Sequence, residues 1–142
     1  MKNIYYLIWV DGIVNSKDYK KKDPAWKFTL FMIITTCNAL NLWAILLWLK
    51  LFEIFSFLIK IDIFPGTVLN GAAGFIVQFA SPFILLNYFL IFYNDRYEKL
   101  IKKYSHKNGK LAMIYTLCSV LFGFISVILY GPSWCRFAIC TF

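Results

Sequence analysis

The sequence predicts an all-helical integral membrane protein with three transmembrane helices, residues 1–142 forming a single transmembrane domain. Three observations lead there. Three stretches, 28–49, 63–94 and 111–135, contain no Asp, Glu, Lys, Arg or His. A spanning helix needs roughly 20 apolar residues at ~1.5 Å rise each, and each stretch meets that length. The chain is also 61% hydrophobic and only 15% charged, whereas soluble domains carry roughly 25% charge. In water such a chain would expose large apolar patches.

The third observation is where the cations fall. Residues 1–27 carry Lys2, Lys17, Lys20, Lys21, Lys22 and Lys27, and residues 95–110 carry Arg96, Lys99, Lys102, Lys103, Lys107 and Lys110. The stretch 50–62 sets Lys50 and Lys60 against Glu53 and Asp62, and the C-terminal tail has only Arg136. Rich and poor segments alternate, as the positive-inside rule requires of a multi-pass protein. The net charge of +8 is therefore read as orientation and not as nucleic-acid binding. The expected location is the inner (cytoplasmic) cell membrane, with the N-terminus in the cytoplasm and the C-terminus outside.

Each element has its own reason. In residues 3–14, Ile4, Tyr5, Leu7, Ile8, Trp9 and Ile13 predict a short aromatic helix lying in the membrane interface. Its apolar run is too short for a signal peptide and ends at Asp11 without a small-residue cleavage site. Asp23-Pro24 then starts a helix, with Asp as N-cap and Pro at the first position. The first transmembrane helix covers 25–49, with Trp26 at one interface and Trp43 and Trp48 near the other.

Residues 51–64 predict an interfacial amphipathic helix on the outer leaflet, with Glu53, Ser56 and Lys60 on one face. A re-entrant segment or short fourth span is the alternative. Pro65-Gly66 turns the chain. The second transmembrane helix covers 67–93. At ~1.5 Å per residue it reaches ~40 Å, more than the ~30 Å hydrocarbon core, so it must tilt or kink. Pro82 supplies a kink.

Tyr93, Tyr97, Leu100, Ile101 and Tyr104 keep a helical spacing. Asp95 with Lys99 and Glu98 with Lys102 are favourable i, i+4 pairs. Residues 94–105 therefore read as a cytoplasmic extension of the second span. Asn108-Gly109 is a turn signal. The third transmembrane helix covers 110–130 and is expected to stop at Tyr130-Gly131-Pro132, leaving the last residues outside.

Ionisable groups inside a membrane mark proton relays, ion-coupling sites or voltage sensors. Their absence argues against a proton- or sodium-coupled transporter. The uncharged polar residues line up instead. Thr67, Asn70, Gly74, Gln78 and Ser81 share one face of the second helix at 100° per residue. Ala112, Thr116, Ser119, Gly123 and Ser126 form a small-residue stripe on the third, with a small-xxx-small pair at Ser119 and Gly123. On the first helix, Cys37, Asn41 and Ala44 share a face with Asn38 beside it.

Two readings of these stripes are open. One is helix packing, since membrane helices gain little by burying apolar surface against each other. The other turns the 67–81 stripe toward a symmetry axis, where it would line a pore or an oligomer interface.

No catalytic, cofactor or metal motif is present. His106 is the single histidine and sits in a basic loop. There is no Cys-x-x-Cys, no His-Glu-x-x-His and no phosphate-cradling glycine loop. Cys37 and Cys118 read as packing residues within spans. Cys135 and Cys140, on the outer side, would close a small disulfide loop in an oxidising compartment. Arg96, Lys99, Lys102 and Lys103 would meet anionic lipid headgroups or simply fix topology.

The run Asn87-Tyr88-Phe89, then Tyr97-Glu98-Lys99-Leu100-Ile101-Lys102-Lys103-Tyr104 and Asn108-Gly109-Lys110, together with Lys-, Ile-, Asn- and Phe-rich usage, resembles small multi-pass membrane proteins of Bacteroidota-like genomes. That resemblance implies no activity and no functional residues. The expected function is that of a non-enzymatic membrane scaffold or subunit. Its partners would be the bilayer and either further copies of itself or another membrane protein. The alternative is a homo-oligomeric channel or pore, such as a membrane-disrupting effector of a defence or toxin system.

Overall fold

A computed structural model describes residues 3–21, 23–52, 54, 67–104 and 109–139, with the side chains of 18, 67, 68 and 130–139 left out of the description. Among the described residues the chain is helical and has no strand. Among the described residues, three helices are long and apolar enough to cross a membrane: Ala25–Leu51, Leu69–Lys103 and Lys110–Leu129.

Helix α1, Ile4–Asn15, starts where the Asn3 side chain accepts a hydrogen bond from the Tyr5 N–H. The turn α2, Lys17–Lys20, follows. Helix α3, Ala25–Leu51, is the first candidate span. Its cap falls one residue later than the sequence suggests: Pro24 holds the cap position, while Asp23 Oδ1 accepts from the Ala25 N–H at 3.0 Å.

The second candidate span is not one regular helix. It runs as α4, Thr67–Phe75, a π-helical turn over Ile76–Ala80, α5, Ser81–Asn87, and a second π-helical turn over Tyr88–Phe92. The first π turn ends two residues before Pro82. Proline lacks an N–H and crowds the carbonyl four residues back, and a widened turn is one way a helix absorbs that.

The extension expected over 94–105 is helical only after a break. Asn94 and Asp95 both take left-handed backbone conformations, with φ of 52° and 50°. Asn and Asp tolerate that region better than other side-chain-bearing residues. Helix α6, Arg96–Lys103, therefore restarts in a new direction and lays Tyr97, Leu100 and Ile101 against the core. Asp95 pairs with Lys27 at 3.8 Å.

Helix α7 runs Lys110–Ile139. Its backbone continues through Gly131-Pro132, where the sequence suggests a stop. Each further residue keeps its carbonyl and amide inside the helical ladder, and one proline removes only one such bond.

The core gathers around α1. Trp9, Val10 and Ile13 are fully buried, with Ile8, Trp26, Ile34, Ile91 and Tyr97 beside them. Residues 3–14 are thus helical, as the pattern predicts, but α1 is packed into the bundle and not laid along its surface. Gly12 permits this: a Cβ there would stand 3.0 Å from Leu30 and 3.5 Å from Ala112. The helix expected over 51–64 lies outside the described residues, apart from Leu51, Phe52 and Ile54.

Candidate functional site

The most distinctive feature is a chain of hydrogen bonds between uncharged side chains of otherwise apolar helices. Asn41 Nδ2 donates to the Tyr115 hydroxyl at 3.2 Å. The Tyr115 hydroxyl donates to Asn38 Oδ1 at 2.5 Å. Asn38 Nδ2 donates to the Tyr5 hydroxyl at 3.0 Å. The Tyr5 hydroxyl donates to Asn87 Oδ1, and Asn87 Nδ2 donates to Thr35 Oγ1 at 2.9 Å. Every link points the same way, so each bond polarises the next. Amides alternate with phenols, and the chain crosses α3, α7, α1 and α5.

The arrangement follows from chemistry. An amide in apolar surroundings costs several kcal/mol, of order 2–7, unless its donors and acceptor are met. Asn38, Asn87 and Thr35 are buried. Each finds its partner on a different helix, so satisfying the polar groups also sets which helices are neighbours.

A second set of bonds ties α3 to α7. Asn41 Nδ2 also donates to Ser119 Oγ at 3.0 Å, and Trp48 Nε1 donates to Ser126 Oγ at 2.9 Å. Both pairs are 78 residues apart in the chain. Two contacts with one offset, a heptad apart, are the signature of parallel helices packed along each other. Cys37 lies against Thr116 and Ser119. Within the stripe on α7, Ser119, Gly123 and Ser126 are buried and Ala112 and Thr116 half-buried. Thr116 Oγ1 and Ser126 Oγ also donate back to the carbonyls of Ala112 and Phe122.

The stripe on the second span is placed differently. Gly74 is buried, Asn70, Gln78 and Ser81 are half-buried, and the Thr67 side chain lies outside the described residues. Gln78 Nε2 lies 3.6 Å from where a Cβ on Gly74 would sit. Ser81 Oγ donates to its own helix at Val77 O, 2.6 Å. Around the bundle, large apolar side chains of the second and third candidate spans face outward, among them Ile76, Leu85, Ile114, Leu117, Phe124 and Ile128.

At the basic end, Asp11 is 1% exposed. Its carboxylate accepts from the backbone N–H groups of Gly109 at 3.0 Å, Leu111 at 2.8 Å and Ala112 at 3.3 Å. These are unpaired donors of the first turn of α7, where the helix dipole also favours a negative charge. Gly109 has φ +77°, and a Cβ there would meet Asn15 Cβ at 3.1 Å, so both backbone angle and space call for glycine.

Of the basic residues singled out from sequence, Lys99, Lys102 and Lys103 are exposed on α6. Arg96 is exposed too, with Nη1 donating to Phe89 O at 3.2 Å. Lys27 Nζ lies 4.7 Å from the centre of the Tyr97 ring. The Cys135–Cys140 pairing and His106 lie outside the described side chains.

Sequence reasoning noted Asn38, Asn41 and Ser119 but missed Tyr5, Asp11, Thr35, Asn87 and Tyr115. A buried carboxylate in an aromatic helix and amides inside apolar runs were the available signals. Nothing along the chain says that an N-terminal tyrosine meets an asparagine in the second span.

The side chains of this network are amides, phenols and hydroxyls, so it offers no carboxylate, imidazole or ammonium for acid–base work. Among the described residues no cluster of His, Cys, Asp or Glu could hold a metal ion. Comparison with protein-family models, curated proteins and solved structures finds no match.

Proposed function

We propose that this chain is a small non-enzymatic integral membrane protein that acts as a scaffold or subunit through helix–helix association. One observation carries the reading. The polar groups between the candidate spans are engaged with one another inside a single chain, while the outer surface is apolar. Such a bundle suits lipid on its outside and holds its own shape before any partner arrives. The N-terminus and the basic α6 lie in the cytoplasm, and the C-terminal end lies outside, as the cation distribution asks.

With the α7 stripe engaged by α3, the second span is the face for contacts between molecules. A Cβ added to exposed Gly71 would meet nothing within 4 Å, so another backbone has room to approach there. A second reading uses the same face. In a homo-oligomeric pore, half-buried Asn70, Gln78 and Ser81 would turn to the symmetry axis and hold water.

Native mass spectrometry of the protein in nanodiscs separates the two. A complex with a second polypeptide, or a dimer without conductance, supports the subunit reading. A ring-sized homo-oligomer whose conductance changes in Gln78→Leu while assembly is kept overturns it in favour of the pore.

A further inference from the structure

Beside the N-terminal end of α3, a groove of about 720 Å³ opens between α1, α2, α3 and α6. Buried Trp26 and Tyr97, with half-buried Ile101, line its inner side. The exposed residues Lys20 and Lys102 line its outer side. Tyr19 stands edge-on to Trp26 at 5.2 Å and closes one wall. One acid, Glu98, also lines the groove, and it accepts from the Tyr97 hydroxyl at 3.4 Å. Nearby, Lys27 pairs with Asp95 and covers the Tyr97 ring.

Two features of this groove select its occupant. It joins an aromatic and aliphatic wall to two ammonium groups, so it suits a molecule that is apolar at one end and anionic at the other. It also stands where the first apolar stretch begins, and its Trp and Tyr residues are the types enriched at the level of lipid headgroups. Its volume falls in the range of small-molecule sites, roughly 300–1,000 Å³.

We propose that this groove holds the headgroup and glycerol region of one anionic phospholipid. The phosphate lies between Lys20 and Lys102, and the glycerol esters lie on Trp26 and Ile101. A zwitterionic lipid brings its own cation to a site already rich in lysine and binds less well. A soluble phosphate ester lacks the part that the aromatic wall would cover. The inference rests on the membrane-embedded reading and adds to it a defined lipid partner on the cytoplasmic leaflet.

The test is native mass spectrometry of the full chain released from nanodiscs of mixed phosphatidylglycerol and phosphatidylcholine, with glycerol 3-phosphate as soluble competitor. One phosphatidylglycerol should stay bound per chain, in about tenfold preference over phosphatidylcholine. Lys20→Gln with Lys102→Gln should lower that preference about tenfold, which is within what two near-surface cations supply. Lys99→Gln with Lys103→Gln removes the same charge from α6 outside the groove lining and should change it by less than about twofold, since exposed charges away from the bound phosphate are screened by salt. All four lysines are exposed, and circular dichroism checks that each variant keeps its helices.

Equal loss in both double variants would mean diffuse surface attraction and overturn the groove. So would equal retention of the two lipids, or displacement by glycerol 3-phosphate. A chain that embeds in nanodiscs without lipid preference refutes the groove alone. A chain that does not enter lipid refutes the membrane-embedded reading with it.

Discussion

At Asp11 a carboxylate gives up water for three backbone N–H groups at the start of a helix about 100 residues away in sequence. Hydrogen bonds to a charged group contribute roughly 1.5–3 kcal/mol, more than neutral ones. Asp23 makes one comparable contact in an exposed position. We therefore expect Asp11→Ala to destabilise the fold by about 2–3 kcal/mol, and Asp23→Ala by about 1 kcal/mol or less. Chemical unfolding in detergent, followed by circular dichroism, measures both. Equal effects would show that the buried carboxylate does not anchor α7. Gly109 belongs to the same junction: Gly109→Ala should cost about 1–2 kcal/mol, because an L-residue is forced into left-handed backbone.

At the scale of elements, the pairing of α3 with α7 depends on small polar side chains at one register. Interhelical hydrogen bonds in membranes contribute only about 0.6–2 kcal/mol each, so the close approach of the helices matters as much as the bonds. Ser119→Ile adds volume where Asn41 and Cys37 already pack. It should destabilise the bundle by about 1–3 kcal/mol through overpacking. Val120→Ile, on the exposed side of the same helix, should be near neutral. The same unfolding measurement compares them, and equal behaviour would place the α3–α7 contact elsewhere. The second span makes a related point about backbone. Pro82 was a legible source of irregularity, but its form as a π turn was not, because proline says which bond is lost and not how neighbours re-pair.

For the whole molecule, α1 is the element that joins the parts. It brings Tyr5 to Asn38 and Asn87, brings Asp11 to the start of α7, and places Trp9 edge-on against Phe92 at 5.6 Å. Deleting residues 1–15 should leave three apolar helices able to insert but loosely arranged. The expected result is retained membrane targeting with a lowered thermal midpoint and faster proteolysis near Gly109. Unchanged stability would show that α1 is only an accessory to the spans.

Much of this architecture was legible along the chain. Uninterrupted apolar length predicts the three long helices, because it is a property of a segment and needs no partner. Asn-Gly and Asp-Pro likewise marked helix boundaries to within a residue or two. What only the tertiary structure decided is which polar atom meets which. A helical period can place Asn38, Asn41 and Ser119 on faces. It cannot say that a tyrosine from the first helix enters between them, or that the extension after the second span breaks at Asn94 and Asp95 to cover Trp26. Apolar burial is summed over area and survives small shifts in position. A hydrogen bond depends on the distance between two atoms that folding alone brings together.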